Sequence, residues 1–170
     1  MGHYQTFNGV GGGGHDSRNE LDKIKLPEDM TGKTLLDIGC AEGFFCLEAA
    51  RRGCSKVVGI DIKSERIAEA KNRQNKKKYA NVQFLEMDLY DVKNFGKFDI
   101  VLFLSVSHHL KDLFGALQII YDVTEKLLIA EIEVSGSNDI RKGCHGFQYP
   151  PKEWVITTLK RIGWRNILEI

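Results

Sequence analysis

No apolar run in this chain approaches the ~18 consecutive residues that a membrane span requires, and its start lacks the basic-then-apolar order of a secretory leader. Both absences lead us to expect a soluble cytoplasmic protein with no membrane partner. An excess of charge of one sign is lacking too. With 24 Lys+Arg against 23 Asp+Glu and a formal net charge of +1, nothing global favours nucleic acid, a lipid surface or an acidic partner, so such binding needs a local patch. The four cysteines, Cys40, Cys46, Cys54 and Cys144, show no C-x-x-C spacing. That pattern fits free thiols in a reducing compartment, and with His108, His109 and His145 it matches no zinc motif, so no metal site is expected. The P-loop pattern G-x-x-x-x-G-K-[ST] is absent. Internal repeats and a second composition zone are absent as well, and 170 residues suit one domain with a real core.

What the chain does contain is an apolar run, Thr34 to Ile38, that breaks into Gly39-Cys40-Ala41-Glu42-Gly43 and resumes at helical spacing from Phe44. This reads as a buried strand, a tight turn and a helix start. Gly39 and Gly43 allow backbone angles and close approaches that a Cβ would obstruct, and the helix N-terminus carries partial positive charge.

Around this turn the periodicity alternates. Residues 1–15, with Gly9 and the run Gly11 to Gly14, read as a flexible segment. As a lid it would bring Tyr4, Phe7 and His15 to a ligand. Met1 to Thr6 matches the M-G-x-x-x-[ST] acylation pattern in form. A single domain is expected over 16–170. Within it, Ser17-Arg18-Asn19-Glu20 has the form of a capping box that starts a short helix ending before Pro27. Strands are expected at Lys56 to Ile62, Val82 to Leu89, Phe98 to Val106, Lys126 to Val134 and Trp164 to Ile170. Helices are expected from Ser64, over Asp112 to Val123 and over Lys152 to Ile162, with a polar loop from Ser135 to Gly146. Alternating strands and helices imply right-handed crossovers, hence an α/β, doubly wound, mostly parallel sheet.

In such sheets a ligand sits beyond the carboxyl ends of the strands, where strand order reverses. Asp61 stands about 20 residues past Gly39, where an acid accepts from ribose hydroxyls, and Asp88 would lie near an adenine edge. As single residues, either acid equally suits a helix cap. The dinucleotide fingerprint G-x-G-x-x-G fails, because Ala41 and Phe44 stand at its second and third glycines and Glu42 puts negative charge where pyrophosphate must sit. An adenosine ligand without phosphates remains. S-adenosylmethionine satisfies this.

Leu35 to Gly43, Val57 to Asp61, Val82 to Asp88 and Phe98 to Ser105 resemble the successive motifs of class I S-adenosylmethionine-dependent methyltransferases over roughly residues 33 to 134. The resemblance implies a Rossmann-like fold in which Asp37, Gly39, Cys40, Ala41, Gly43 and Phe44 cradle the methionine part. It also places Asp61 with Ile62 at the ribose, Asp88 with Leu89 at the adenine, and Ser105 at the end of the fourth strand. Thr31-Gly32-Lys33, Gly43-Phe44-Phe45 and Arg51-Arg52-Gly53 further resemble enzymes that modify the wobble uridine of tRNA, one branch of which uses a carboxylated cofactor. The family sheet ends in an antiparallel hairpin of two strands. Only one such strand is expected here, so the hairpin is incomplete.

Methyl transfer from a sulfonium requires an in-line nucleophile and, for some acceptors, a base. His108 and His109, just after the fourth strand, are the candidate bases, though either equally suits a helix cap or a pocket wall. The D/N-P-P-Y-like sequence that resembling enzymes use for exocyclic amines is absent, which points to a small-molecule or RNA acceptor. A second expectation is a cofactor-binding, inactive partner subunit of a catalytic protein. Lys71, Arg73, Lys76, Lys77 and Lys78 form the one basic cluster, and a solvated helix end explains it.

Overall fold

The computed structural model describes residues 17–136, 141–142 and 148–168. The acylation pattern, the glycine-rich segment, Cys144 and His145 therefore lie outside the described residues, as do the side chains of the expected capping box.

The element order is α1 (Ser17–Ile24), β1 (Thr34–Ile38), α2 (Phe44–Arg51), β2 (Lys56–Asp61), α3 (Ser64–Lys77), β3 (Val82–Glu86), a 3-10 helix (Leu89–Phe95) and β4 (Phe98–Phe103). A 3-10 turn (Ser107–His109), α4 (Leu113–Val123), β5 (Thr124–Ala130), β6 (Arg141–Lys142), β7 (Gln148–Tyr149) and α5 (Lys152–Ile162) follow. β1 to β5 form one sheet in the order β3-β2-β1-β4-β5, and every pairing in it is parallel. The short strands β6 and β7 pair antiparallel with each other.

Strand residues alternate between faces, and here both faces are covered. Leu35, Val57, Phe84, Ile100 and Leu102 pack with α2 and Ile67 and Ala70 of α3 on one side. Leu36, Ile38, Val58, Ile60, Val101 and Phe103 pack with α4 on the other. Burial on both sides is why the strands read as continuous apolar runs. β1 lies between β2 and β4, so the chain reverses its direction of travel across the sheet at the C-terminal end of β1.

Several expectations need correction. β4 ends at Phe103, short of Val106, and β5 spans Thr124–Ala130, starting before Lys126 and ending short of Val134. β3 ends at Glu86, short of Leu89, because Asp88 caps a 3-10 helix by accepting a hydrogen bond from the Tyr90 N–H at 3.0 Å. The expected loop after Ser135 contains the β6 residues. The last expected strand is absent among the described residues. After Gly163 (φ 131), the Trp164 ring packs edge-on against Tyr121 at 5.2 Å, and Asn166 has φ 53, which no extended strand allows. The structure therefore shows no hairpin strand from this segment beside β5.

Arg52, one of the residues carrying the tRNA-enzyme resemblance, is buried in structural work. Its guanidinium donates to Glu48 and to the Leu26 and Pro27 carbonyls.

Candidate functional site

The turn after β1 is built by left-handed residues. Gly39 (φ 77), Ala41 (φ 48) and Gly43 (φ 83) alternate with ordinary ones. The N–H groups of Gly39 and Cys40 both donate to the Ile60 carbonyl at 2.9 Å, which folds the turn over the end of β2. A Cβ on Gly39 would overlap Val106 Cγ2, and one on Gly43 would come within 2.5 Å of the Phe84 ring. Gly43 thus provides the close helix approach that the third glycine of a dinucleotide fingerprint would give at the position of Phe44. Phe44 itself opens α2 and stands edge-on to Phe45 at 5.3 Å. Glu42 is buried, and Arg73 of α3 lies 3.8 Å from it, so its charge is met from behind the turn.

A left-handed alanine costs about 1 to 2 kcal/mol. Asp61 holds it in place, accepting the Ala41 N–H at Oδ2 (3.0 Å) and the Lys63 N–H at Oδ1 (2.9 Å). The Arg66 guanidinium stands 3.6 Å from Oδ2. Both roles weighed for Asp61 are compatible, since each carboxylate oxygen has two lone pairs. Next to it Ile62 is 65% exposed, an apolar side chain left at the strand ends. Asp88 is exposed on the neighbouring strand exit, and Leu89 is buried in the core.

At the end of β1, Asp37 is buried and accepts a hydrogen bond from the Cys46 thiol at 3.3 Å. Burial raises its carboxyl to about 7, the Cys46 bond opposes the rise, and the nearby Asp61 charge adds to it. Cys40, Cys46 and Cys54 are free buried thiols, as expected. The Cys46 thiol is pushed far up by burial.

The exit of β4 forms the other wall. Ser105 has φ 54, and its hydroxyl donates to Glu131 Oε2 at 2.5 Å. The Ser107 hydroxyl accepts from the Glu133 N–H at 3.0 Å. His108 and His109 lie on this turn with ring centroids 3.9 Å apart, and His108 Nδ1 is 3.1 Å from Glu133 Oε1. His109 is held below its ordinary value, first by partial burial, then by the positive groups His108, Lys63 and Arg66, with Glu133 opposing them. Glu131 and Glu133 escaped the sequence reading. They reach the site only through the parallel pairing of β5 with β4, and an E-x-E in an apolar strand exit carries no signature of its own.

The lysines that end the basic cluster lie elsewhere, while Arg73 of the same cluster backs the turn at Glu42. α3 starts at the site and runs back along the sheet for 14 residues, about 20 Å at helical rise, so Lys76, Lys77 and Lys78 sit at the far end.

A family model described as a methyltransferase domain matches residues 29–149. The chain belongs to this methyltransferase family. Its cofactor is S-adenosylmethionine. The magnesium-protoporphyrin O-methyltransferase of Rhodobacter capsulatus is 36% identical over 89 residues, which cover 52% of this chain and 39% of that protein. The tRNA U34 carboxymethyltransferase of Alteromonas mediterranea is 26% identical over 155 residues, covering 81% of this chain and 46% of that one. The methyltransferase domain thus spans less than half the length of these curated relatives. Among solved structures, an S-adenosylmethionine dependent methyltransferase from Mesorhizobium loti shares the fold with a TM-score of 0.66 at 16% identity, over 86% of this chain and 81% of that one. Among the described residues no helix is long and apolar enough to cross a membrane, and no group of His, Cys, Asp and Glu could hold a metal ion.

Proposed function

We propose that the domain transfers a methyl group from S-adenosylmethionine to an ionisable oxygen or similar nucleophile on a small molecule or a single RNA nucleoside. The observation that carries this reading is the placement of the histidine turn. His108 and His109 stand at the exit of β4, beside the exit of β1, with Val106 of the same segment packed onto Gly39.

The residues present fit the cofactor. Gly39 and Gly43 let the turn pack tightly against Val106 and Phe84, which fixes its backbone where the amino-acid part would sit, alongside Asp37, Cys40, Ala41 and Phe44. Asp61 retains accepting capacity for ribose hydroxyls, and exposed Ile62 offers an apolar face to the adenine. Asp88, with one carboxylate oxygen engaged by Tyr90, lies on the adjacent strand exit with Leu89 beneath it, and Ser105 borders the wall. The cofactor when bound supplies the electrophilic methyl group. The protein's work is to orient the acceptor and take its proton.

His109 is suited to that second task, because a depressed pKa keeps the imidazole neutral at pH 7. The sign follows directly. Activity is present above the lowered pKa and is lost as pH falls through it, so the acid limb of kcat/KM is expected below pH 6.5. A limb above that value would exclude His109 as the base. The small-molecule acceptor gains support from the distance of Lys76, Lys77 and Lys78 from the strand exits.

Calorimetry with S-adenosylmethionine and S-adenosylhomocysteine tests the shared premise, and absence of binding would sink the reading. Turnover against metabolite pools and tRNA then identifies the acceptor. His109→Ala is expected to lower kcat by about 100-fold and leave cofactor affinity unchanged. Unaltered turnover in both His108→Ala and His109→Ala would remove the proton-transfer role.

A further inference from the structure

The turn carrying the histidines is clamped to the segment that follows β5. Parallel pairing brings Phe103 opposite Ala130, and the Glu131 N–H continues it by donating to the Phe103 carbonyl at 2.9 Å. Beyond that point the two segments exchange side-chain bonds, Ser105 to Glu131 and the Glu133 N–H to Ser107. Inside this clamp His108 Nδ1 is fully shielded from solvent and has no aligned hydrogen-bond partner. A buried ring nitrogen without a partner is costly and requires explanation. Glu133 Oε1 is 3.1 Å away, close enough but out of line, and its side chain is 44% exposed, so the carboxylate has room to rotate into line.

We propose that Glu133 is a positioning residue for the histidine pair, holding His108 by Nδ1 and, through the tilted ring contact, fixing His109. The inference rests on the reading of these histidines as proton-transfer groups. A carboxylate at Nδ1 places the neutral proton there and leaves Nε2 as the basic nitrogen. His108 cannot then turn away from His109, whose ring it meets at an angle of 50°. The charged groups facing His109 are His108 from the same turn, Lys63 and Arg66 from the start of α3, and Glu133 from the β5 exit. Glu133 is the only anion in that set. Its loss removes the pull that Glu133 sets against the positive groups.

The test is Glu133→Gln in the full chain, read first by nitrogen-resolved NMR of the imidazoles without cofactor. In the native chain neutral His108 is expected as the Nδ1–H tautomer. In Glu133→Gln the two tautomers mix, and the His109 titration midpoint moves further down. With the acceptor in hand, kcat is expected to fall by about tenfold or more, while the KM for S-adenosylmethionine stays put. A native His108 carrying its proton on Nε2, or imidazole titrations that superimpose in the two proteins, would overturn the proposal. These spectra separate it from the functional reading. If His109→Ala keeps full turnover while Glu133→Gln still shifts the tautomer, the base assignment fails and the positioning of the pair stands.

Discussion

Gly39→Val is expected to weaken S-adenosylmethionine binding by at least about 100-fold, roughly 3 kcal/mol, in a chain that remains folded. Two effects combine at this position. A β-branched residue is strained at φ 77, and its Cβ overlaps Val106 Cγ2. Relief requires the turn to lift or the β4 exit to retreat. Lifting the turn breaks the paired bonds from Gly39 and Cys40 to Ile60, and retreat of the β4 exit moves the histidines. Gly39 lies beyond the end of β1, and Val106 is only partly buried against the apolar cluster, so circular dichroism should retain the native signal. Unchanged affinity in the calorimeter would remove the cofactor from this turn.

Asp37→Asn is expected to abolish most of the fall in stability between pH 4 and pH 7. In the unfolded chain this carboxyl titrates near 3.8, and in the fold at about 7, chiefly because it is buried. Between those values the folded state holds a proton that the unfolded state has lost. The contribution of this carboxyl is therefore largest at the acid end of the window, falls as pH rises through it, and levels off above 7. The slope is up to about 1.4 kcal/mol per pH unit, and the whole descent on the order of 4 kcal/mol. Asparagine keeps an oxygen to accept from Cys46 and has no charge to desolvate. Calorimetric scans at pH 8 should show a midpoint raised by roughly 10 °C, with little change at pH 4. A variant that follows the native pH dependence would show that another group carries it.

The elements legible in the sequence are those whose ends are set by local chemistry. β1 stops where Gly39 takes a left-handed angle, and α5 runs from Pro151 to Gly163 as its flanking residues dictate. Two of the misread ends are places where an apolar residue packs inward without being in a strand. Leu89 looked like the tail of β3 because it is in the core, yet it arrives there from a 3-10 turn. Trp164, partly buried against the same apolar cluster, looked like the start of a strand, while its ring is occupied with Tyr121. Within the candidate site, the position of the turn, Asp61 and the histidines at the strand exits was readable because spacing along one strand or one crossover places them. Glu42 was given the right chemistry and the wrong surroundings, since Arg73 lies across the α2–α3 packing and spacing does not reveal it. Glu131 and Glu133 depend wholly on β4–β5 pairing.

Asp61 also joins three stretches of chain. Its carboxylate takes the Ala41 and Lys63 amides, and its carbonyl takes the Met87 amide at 3.0 Å. These three amides should therefore behave as one cooperative unit in hydrogen exchange, opening together when Asp61 lets go. A ligand held by this residue would slow all three by a common factor, so amides on the β1 turn, the start of α3 and the β3 exit would report a single event.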